Sequence, residues 1–384
     1  MKLVTCIDDL KIKAKRRVPK MFYEYADGGS WAENTYKSNE EDWKKIKFRQ
    51  RVAIDVSKRN TEMLMLGEKL KLPTALGPVG LIGMHRANGE ILCARAAERF
   101  GVPYTLSTMS ICSIEDVSKH TKKPFWFQLY MMRDRDFVKR LLERAQAADC
   151  SALMITIDLP ILGERHKDKR NGLSTPPKLT IQNIFNLMSK PMWCSEMLRT
   201  KRRSFGNVVG HVSGVNDMGS LSEWVSKQFD PTVTWKDLEI LRNTWDKKLI
   251  IKGILDPEDA ILASKIGADA IVVSNHGGRQ LDGTVSTITA LKPILDKVSG
   301  STEVWIDGGI RTGQDILKAI ALGANGTLIG RSYLYGLGSY GETGVIKALE
   351  ILEQELDKTM ALCGRDSLSS VDESILYPLE FSHN

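Results

Sequence analysis

The residues best suited to chemistry in this chain stand where short apolar runs end. His276 follows such a run and is itself followed by Gly277-Gly278-Arg279. It is a candidate general base, and Asp158 is a candidate partner that would orient it and stabilise an imidazolium. Arg165 and Arg279 can bind a carboxylate, because a guanidinium fork meets two carboxylate oxygens at once. Gln128, Thr156 and Lys252 can hydrogen-bond the edge of a flat polar ring. Gly308, Gly309 and Gly330, with Arg311 and Arg331, offer a phosphate site built from backbone N–H groups and a helix N-terminus. Each residue taken alone has a plainer reading, since a lone Thr or Gln near a strand end is usually structural. A lone His is usually a satisfied polar group. What sets these residues apart is that all of them stand at the ends of apolar runs.

From Leu72 onward, runs rich in β formers alternate with amphipathic stretches of helical length. The candidate strands are Pro73–Pro78, Tyr104–Thr108, Phe125–Tyr130, Ala152–Asp158, Leu249–Ile254, Ala270–Ser274, Glu303–Ile306 and Gly326–Ile329. Helices are expected at Gly89–Phe100, Asp134–Ala147, Trp235–Thr244, Pro257–Ile266, Thr312–Leu322 and Val345–Leu362. Pro257 after Asp256 fits an N-cap followed by proline at the first helical position. Strands with nearly continuous apolar character are buried on both faces, which implies parallel pairing with helices outside. Eight β-then-α units predict an α/β fold, a TIM (β/α)₈ barrel, with an open doubly wound sheet as the alternative. Two polar helical stretches, around Cys6–Lys15 and Lys20–Tyr25, form an N-terminal extension. The whole chain, 1–384, reads as one domain, with the barrel over about 72–365 and a long insertion after strand 4 over about 166–234. In a barrel the polar residues at the C-terminal strand ends converge on one mouth, which gathers the candidates named above.

The composition is that of an ordinary globular protein, 42% hydrophobic and 26% charged. No apolar run is long enough to span a bilayer, and the N-terminus lacks the apolar core of a signal peptide. The six cysteines form no C-x-x-C pair and have no zinc-type spacing to histidine, so reduced thiols and no metal site are expected. The net charge of +7 is local, since Arg165–Arg203 holds ten Lys/Arg against two Asp/Glu. One basic segment in a balanced chain argues against nucleic acid and for a local anionic contact. Gly336-Leu337-Gly338-Ser339-Tyr340-Gly341 matches G-x-G-x-x-G, but no βαβ unit follows it, so it reads as a linker into the last helix and not as a dinucleotide site.

Ser274-Asn275-His276-Gly277-Gly278-Arg279-Gln280 resembles the active-site signature of the FMN-dependent α-hydroxy-acid oxidase and dehydrogenase family. The resemblance runs from Pro19 to about Ser369. It includes Tyr23–Gly29, Pro78-Val79-Gly80-Leu81, Leu106-Ser107-Thr108, Trp126–Tyr130, Asp307–Arg311 and Gly330-Arg331. It implies that His276 removes a substrate proton, supported by Asp158. Arg279 and Tyr23 would hold the substrate carboxylate, Tyr130 the hydroxyl, and Arg165 would assist. For FMN it implies Lys252 against the N1–C2 edge and Ser107, Gln128 and Thr156 on the ring. Pro78, Val79, Gly80 and Ser274 would lie against the cofactor, Asp307 on the ribityl chain, and Gly309, Arg311, Gly330 and Arg331 at the phosphate. Ile251–Ala260 and Phe229-Asp230-Pro231 look like the bacterial respiratory L-lactate dehydrogenases. Gly80 stands where many oxidases of the family have Ala, which favours a dehydrogenase. The expected reaction is oxidation of L-lactate, with electrons passing to a quinone or other respiratory acceptor. The alternatives are a peroxide-forming 2-hydroxy-acid oxidase and a mandelate-type dehydrogenase. From another class come a Schiff-base barrel enzyme using Lys252 and a non-catalytic phosphate-binding module. A homo-oligomer is expected.

Within the insertion, Ile181, Ile184, Phe185 and Met188 fall at i, i+3, i+4 and i+7, one helical face. Trp193, Met197 and Leu198 follow, then Arg199, Lys201, Arg202 and Arg203. An amphipathic stretch beside a basic cluster predicts a peripheral membrane contact through 177–203. The expected location is the cytoplasmic face of the inner membrane, or otherwise the cytoplasm.

Overall fold

The computed structural model describes residues 3–173, 180–212, 224, 227–298, 300 and 302–378. Eight parallel strands form one sheet: β1 (Thr74–Leu76), β2 (Thr105–Ser107), β3 (Trp126–Tyr130), β4 (Ala152–Thr156), β5 (Lys248–Ile254), β6 (Ala270–Val273), β7 (Glu303–Ile306) and β8 (Gly326–Ile329). Each pairs with its sequence neighbours, and β8 pairs with β1. A parallel bridge from Leu76 to Tyr104 joins β1 to β2 and closes the barrel. The open-sheet alternative is thereby excluded. All eight expected strands are present, most of them shorter by a residue or more at an end.

Side chains alternate along each strand, and the inward set builds the barrel core. Trp126, Ala152, Met154, Ile250, Ala270, Val272, Trp305 and Leu328 form one buried cluster. The Trp126 and Trp305 rings stack across it at 5.3 Å. A hairpin, Met63–Met65 with Glu68–Leu70, adds Met65 and Leu70 to the same cluster. Two residues further along the same inward rows stand Gln128, Thr156, Lys252, Ser274 and Asp307. Period-2 geometry thus turns an apolar core into a polar mouth. Tyr130, Thr156 and Lys252 are register partners across β3, β4 and β5.

The N-terminal extension has three helices, Ile7–Arg17, Lys20–Asp27 and Asn34–Lys45, the third of them absent from the sequence reading. Thr287–Leu295 also escaped it, because Pro293 lies inside that helix. One expectation is overturned. Gly336–Tyr340 is not a linker but part of the helix Arg331–Tyr340, which runs into Glu342–Leu362. Its glycines serve packing: a Cβ on Gly336 would lie 2.3 Å from the Gly344 carbonyl oxygen, and one on Gly338 would lie 2.8 Å from Val18. Within the insertion the described residues include the helices His166–Arg170, Ile181–Met188 and Pro191–Arg199.

The Gly336 contact makes a stability prediction. Gly336→Ala forces two helix backbones apart and should cost about 1–3 kcal/mol, read as a lower urea midpoint at unchanged slope. An unchanged midpoint would show that the two helices separate freely.

Candidate active site

The C-terminal mouth of the barrel holds a cavity of about 950 Å³. Its wall contains Pro78, Val79 and Gly80 after β1, Tyr130 of β3, Thr156 of β4, Arg165 and Lys252. It also contains His276, Arg279, Asp307, Gly309, Arg311, Gly330 and Arg331. Ser107, Gln128, Asp158 and Ser274 stand outside the wall, within hydrogen-bonding reach of one another or of wall residues. Ser107 Oγ donates to Gln128 Oε1 at 2.9 Å, and Lys252 Nζ donates to Ser274 Oγ at 2.7 Å.

His276 sits in a turn with three successive positive φ angles, 58° at His276, 66° at Gly277 and 71° at Gly278. Such a conformation is strained for a residue with a Cβ. The turn is held by Ser274 Oγ, which accepts from His276 N at 3.1 Å, and by Asn275 Oδ1, which accepts from Gly278 N at 3.1 Å. His276 Nδ1 lies 2.8 Å from Asp158 Oδ1. With the Nδ1 proton on that carboxylate, Nε2 is left as the basic nitrogen. Burial drives the His276 pKa below the usual imidazole value, against the opposing pull of Asp158. Asp158 is itself held below the usual carboxylate range, because His276 and Lys252 outweigh its burial. The ring is therefore neutral and ready to accept a proton at neutral pH.

Gly253 makes room for this pair. It lies where the β5–β6 register shifts, has φ 105°, and a Cβ there would fall 2.7 Å from the Asp158 Cβ. Beside it, Lys252 is 5% exposed and meets Asp307 Oδ2 at 3.1 Å. Burial lowers its pKa, but Asp307 and Asp158 more than offset this and leave it above the usual lysine value. A permanent cation thus faces the cavity next to the histidine.

Arg279 lies over the Tyr25 ring, 4.7 Å from its centroid, and donates to the Tyr25 and Gly28 carbonyls. Arg165 donates to the Arg279 carbonyl at 3.3 Å and to Gln280 Oε1 at 3.3 Å. Burial, and then the neighbouring Arg165 cation, lower the Arg279 pKa. Asp168 lies in the field of both cations, which oppose the upward push of burial on its pKa. Arg331 lines the far end, yet three of its N–H groups already serve the carbonyls of Ala26, Gly28 and Gly277. It braces the extension against the barrel as well as facing the cavity. Arg311 is shared in the same way, donating to Glu40 Oε1 at 2.6 Å.

Tyr23 is a correction. It is buried among core residues, stacks on Tyr335 at 6.5 Å, and is absent from the cavity wall. Tyr25, two residues on and turned through a different helical face, lines the cavity instead. Residues i and i+2 of a helix do not share a face, so only one of the two rings can line the cavity. Asp168 was also missed. It lines the cavity three residues after Arg165, its Oδ2 4.0 Å from Arg165 Nη1.

Buried polar groups need partners. Here Gln128 Nε2, Thr156 Oγ1 and Asp307 Oδ1 are buried with no hydrogen-bond partner in the protein. One donor, one hydroxyl and one carboxylate oxygen, around a cationic lysine, fit the polar edge and ribityl chain of a flavin. Gly330, the N-cap of the helix Arg331–Tyr340, with Gly309 and Arg311 after β7, fits its phosphate.

These unmet hydrogen bonds, at the mouth of a closed barrel beside a neutral histidine and two arginines, have the chemistry of a flavin-dependent oxidoreductase. Comparison with known proteins makes this specific: residues 14–378 match the FMN-dependent dehydrogenase family, and the chain belongs to that family. It is 44% identical to an L-lactate dehydrogenase of Haemophilus influenzae over 378 residues, 98% of this chain and 99% of that one. It is 43% identical to an L-lactate dehydrogenase of Actinobacillus pleuropneumoniae over the same coverage. Among solved structures it resembles a monotopic membrane protein, (S)-mandelate dehydrogenase, with a TM-score of 0.93 and 34% identity over 98% of this chain and 100% of that one. A soluble mutant of the membrane-associated (S)-mandelate dehydrogenase of Pseudomonas putida matches with a TM-score of 0.83 and 34% identity over 98% and 99% of the chains.

Two outcomes test the site. His276→Gln should keep the bound cofactor while kcat falls about 10²–10⁴-fold; full turnover would remove His276 from the base role. In the unaltered enzyme, kcat/KM should rise with pH as His276 loses its proton, along an acid limb lying below the usual imidazole range. Asp158→Asn should move that limb to still lower pH, because the carboxylate is what raises the histidine. A limb moved to higher pH would contradict the pairing.

Proposed function

We propose that this enzyme oxidises L-lactate to pyruvate and passes the electrons to a respiratory acceptor at a membrane surface. The observation that carries the substrate reading is the juxtaposition of neutral His276 with the Arg165–Arg279 pair in one cavity wall. In this reading Arg279 and Arg165 bind the carboxylate and orient the carbinol carbon. The Tyr130 hydroxyl hydrogen-bonds the substrate oxygen, and burial keeps that phenol protonated. His276 Nε2 takes a substrate proton, and Asp158 stabilises the imidazolium. FMN, when bound, supplies the two-electron acceptor. Lys252, Gln128, Thr156 and Asp307 would hold its polar edge and ribityl chain, and the Lys252 cation favours negative charge there. Tyr25, beneath Arg279, keeps the guanidinium plane fixed. The resemblance to L-lactate dehydrogenases at 44% identity supports lactate over mandelate.

The membrane reading rests on the helix Ile181–Met188 and its successor. Ile181 is 74%, Phe185 69% and Met188 69% exposed, so the expected apolar face points outward and is uncovered. No helix among the described residues is long and apolar enough to cross a membrane. The basic segment beside it is partly consumed. Lys167 pairs with Glu33, Lys169 with Glu164 and Arg202 with Asp116, while Arg199, Lys201 and Arg203 stay exposed. Residues 177–179 of the expected contact lie outside the described residues. An exposed apolar face rimmed by cations suits anionic lipid.

Turnover of L-lactate with an artificial acceptor should exceed that of (S)-mandelate, and oxygen alone should support little of it. Mandelate preference, or rapid peroxide release, would favour the alternative activities. Ile181→Glu/Phe185→Glu should abolish co-sedimentation with anionic liposomes while leaving turnover with the soluble acceptor intact. Unchanged co-sedimentation would remove this face from membrane binding.

A further inference from the structure

Gln280 ends the turn 274–280 that carries His276, and it is 7% exposed. It is absent from the cavity wall, yet its amide is fully engaged. Nε2 donates to the Asp158 carbonyl at 3.1 Å and to the Ile161 carbonyl at 2.9 Å. Oε1 accepts from Gly163 N at 3.2 Å and from Arg165 Nη2 at 3.3 Å. Two partners are carbonyl oxygens and two are N–H groups, so the amide fits in one orientation only. All four partners lie between 158 and 165, on the connection that leaves β4. Residues 157–165 form neither strand nor helix, so no regular ladder holds that connection in place. Gly163 lets the two segments meet, since a Cβ there would fall 2.7 Å from the Arg279 carbonyl oxygen and 2.9 Å from Gln280 Cα.

The chemical type of the acceptor on Arg165 matters as much as its position. A carboxylate at hydrogen-bond distance would orient the guanidinium and also cancel much of its charge. Arg165 is held instead by two neutral oxygens, the Gln280 amide and the Arg279 carbonyl at 3.3 Å, while Asp168 Oδ2 stands off at 4.0 Å. The cation is thus oriented and keeps its charge for an anion in the cavity. A side chain already ordered loses less freedom when a ligand binds.

We propose that Gln280 is a positioning residue that sets the affinity of the site for the substrate carboxylate by fixing Arg165 beside Arg279. The proposal rests on the reading of those two arginines as the carboxylate-binding pair. The same amide anchors the Asp158 end of the segment, so one side chain keeps the partner of the base and the second arginine in register. Gln280 acts through Arg165, and its effect vanishes when Arg165 is removed.

The test uses the flavin-loaded enzyme and oxalate, a dicarboxylate with no hydrogen to give up, titrated by calorimetry. Gln280→Met keeps the length of the side chain and removes all four hydrogen bonds. It should raise the Kd of oxalate and the KM of the hydroxy acid about tenfold each, with kcat falling by a smaller factor. In an Arg165→Met background the same substitution should leave oxalate affinity unchanged. A side chain that only held the fold together would weaken binding equally in both backgrounds. Equal losses in the two backgrounds, or no loss in either, would overturn the proposal. Gln280→Asn, which keeps an amide but draws it back by one carbon, carries the same pair of comparisons where Gln280→Met does not fold. Oxalate binding is read without turnover, so it decides the role of Gln280 even where L-lactate fails to reduce the enzyme. That failure would strike the proposed substrate alone.

Discussion

Burying Lys252 is the constraint from which most of this site follows. Removing a charge from water costs several kcal/mol unless partners surround it, and Lys252 is almost wholly enclosed. It is satisfied by Asp307 from the end of β7 and Ser274 from the end of β6, with Asp158 beyond β4 adding its field. Asp158 in turn holds His276. Four strand ends must therefore finish at one level, and the closed barrel is what puts them there. The glycine at 253 and the left-handed turn at His276 are local consequences, since each lets a backbone pass where a Cβ or an ordinary φ would break the network.

Much of this was legible in the sequence because strand periodicity is rigid. Once the apolar runs are taken as inward-facing strands, Gln128, Thr156, Lys252 and Asp307 must follow the core rows into the mouth. Helix-borne residues were harder to place. Tyr23 and Tyr25 differ by two positions on a short helix, and only the packing of that helix against Tyr335 and Arg279 decides which ring enters the cavity. Gly336 and Gly338 read as loop residues because glycine is a poor helix former, yet close packing against Gly344 and Val18 overrides propensity. Tertiary contact also redistributed the basic segment, whose count suggested one patch while ion pairs to Glu33, Glu164 and Asp116 removed part of it.

The cavity divides into an end that handles charge and an end that handles apolar matter. Arg165, Arg279 and His276 define the first, and Phe22, Leu187 and Trp193 the second. The connection after β4 supplies residues to both, Arg165 and Asp168 near its start and the amphipathic helices further on. A long connection in a barrel thus links chemistry at the strand ends to an uncovered apolar face on the exterior.

His276 and the arginine pair, in this reading, serve a flavin that accepts electrons from L-lactate. An anaerobic visible absorption spectrum of the purified protein, taken before and after stoichiometric L-lactate, tests it most directly. Flavin bands should bleach with L-lactate and persist with D-lactate. Flavin bands that persist with both, in protein retaining its cofactor, would contradict it.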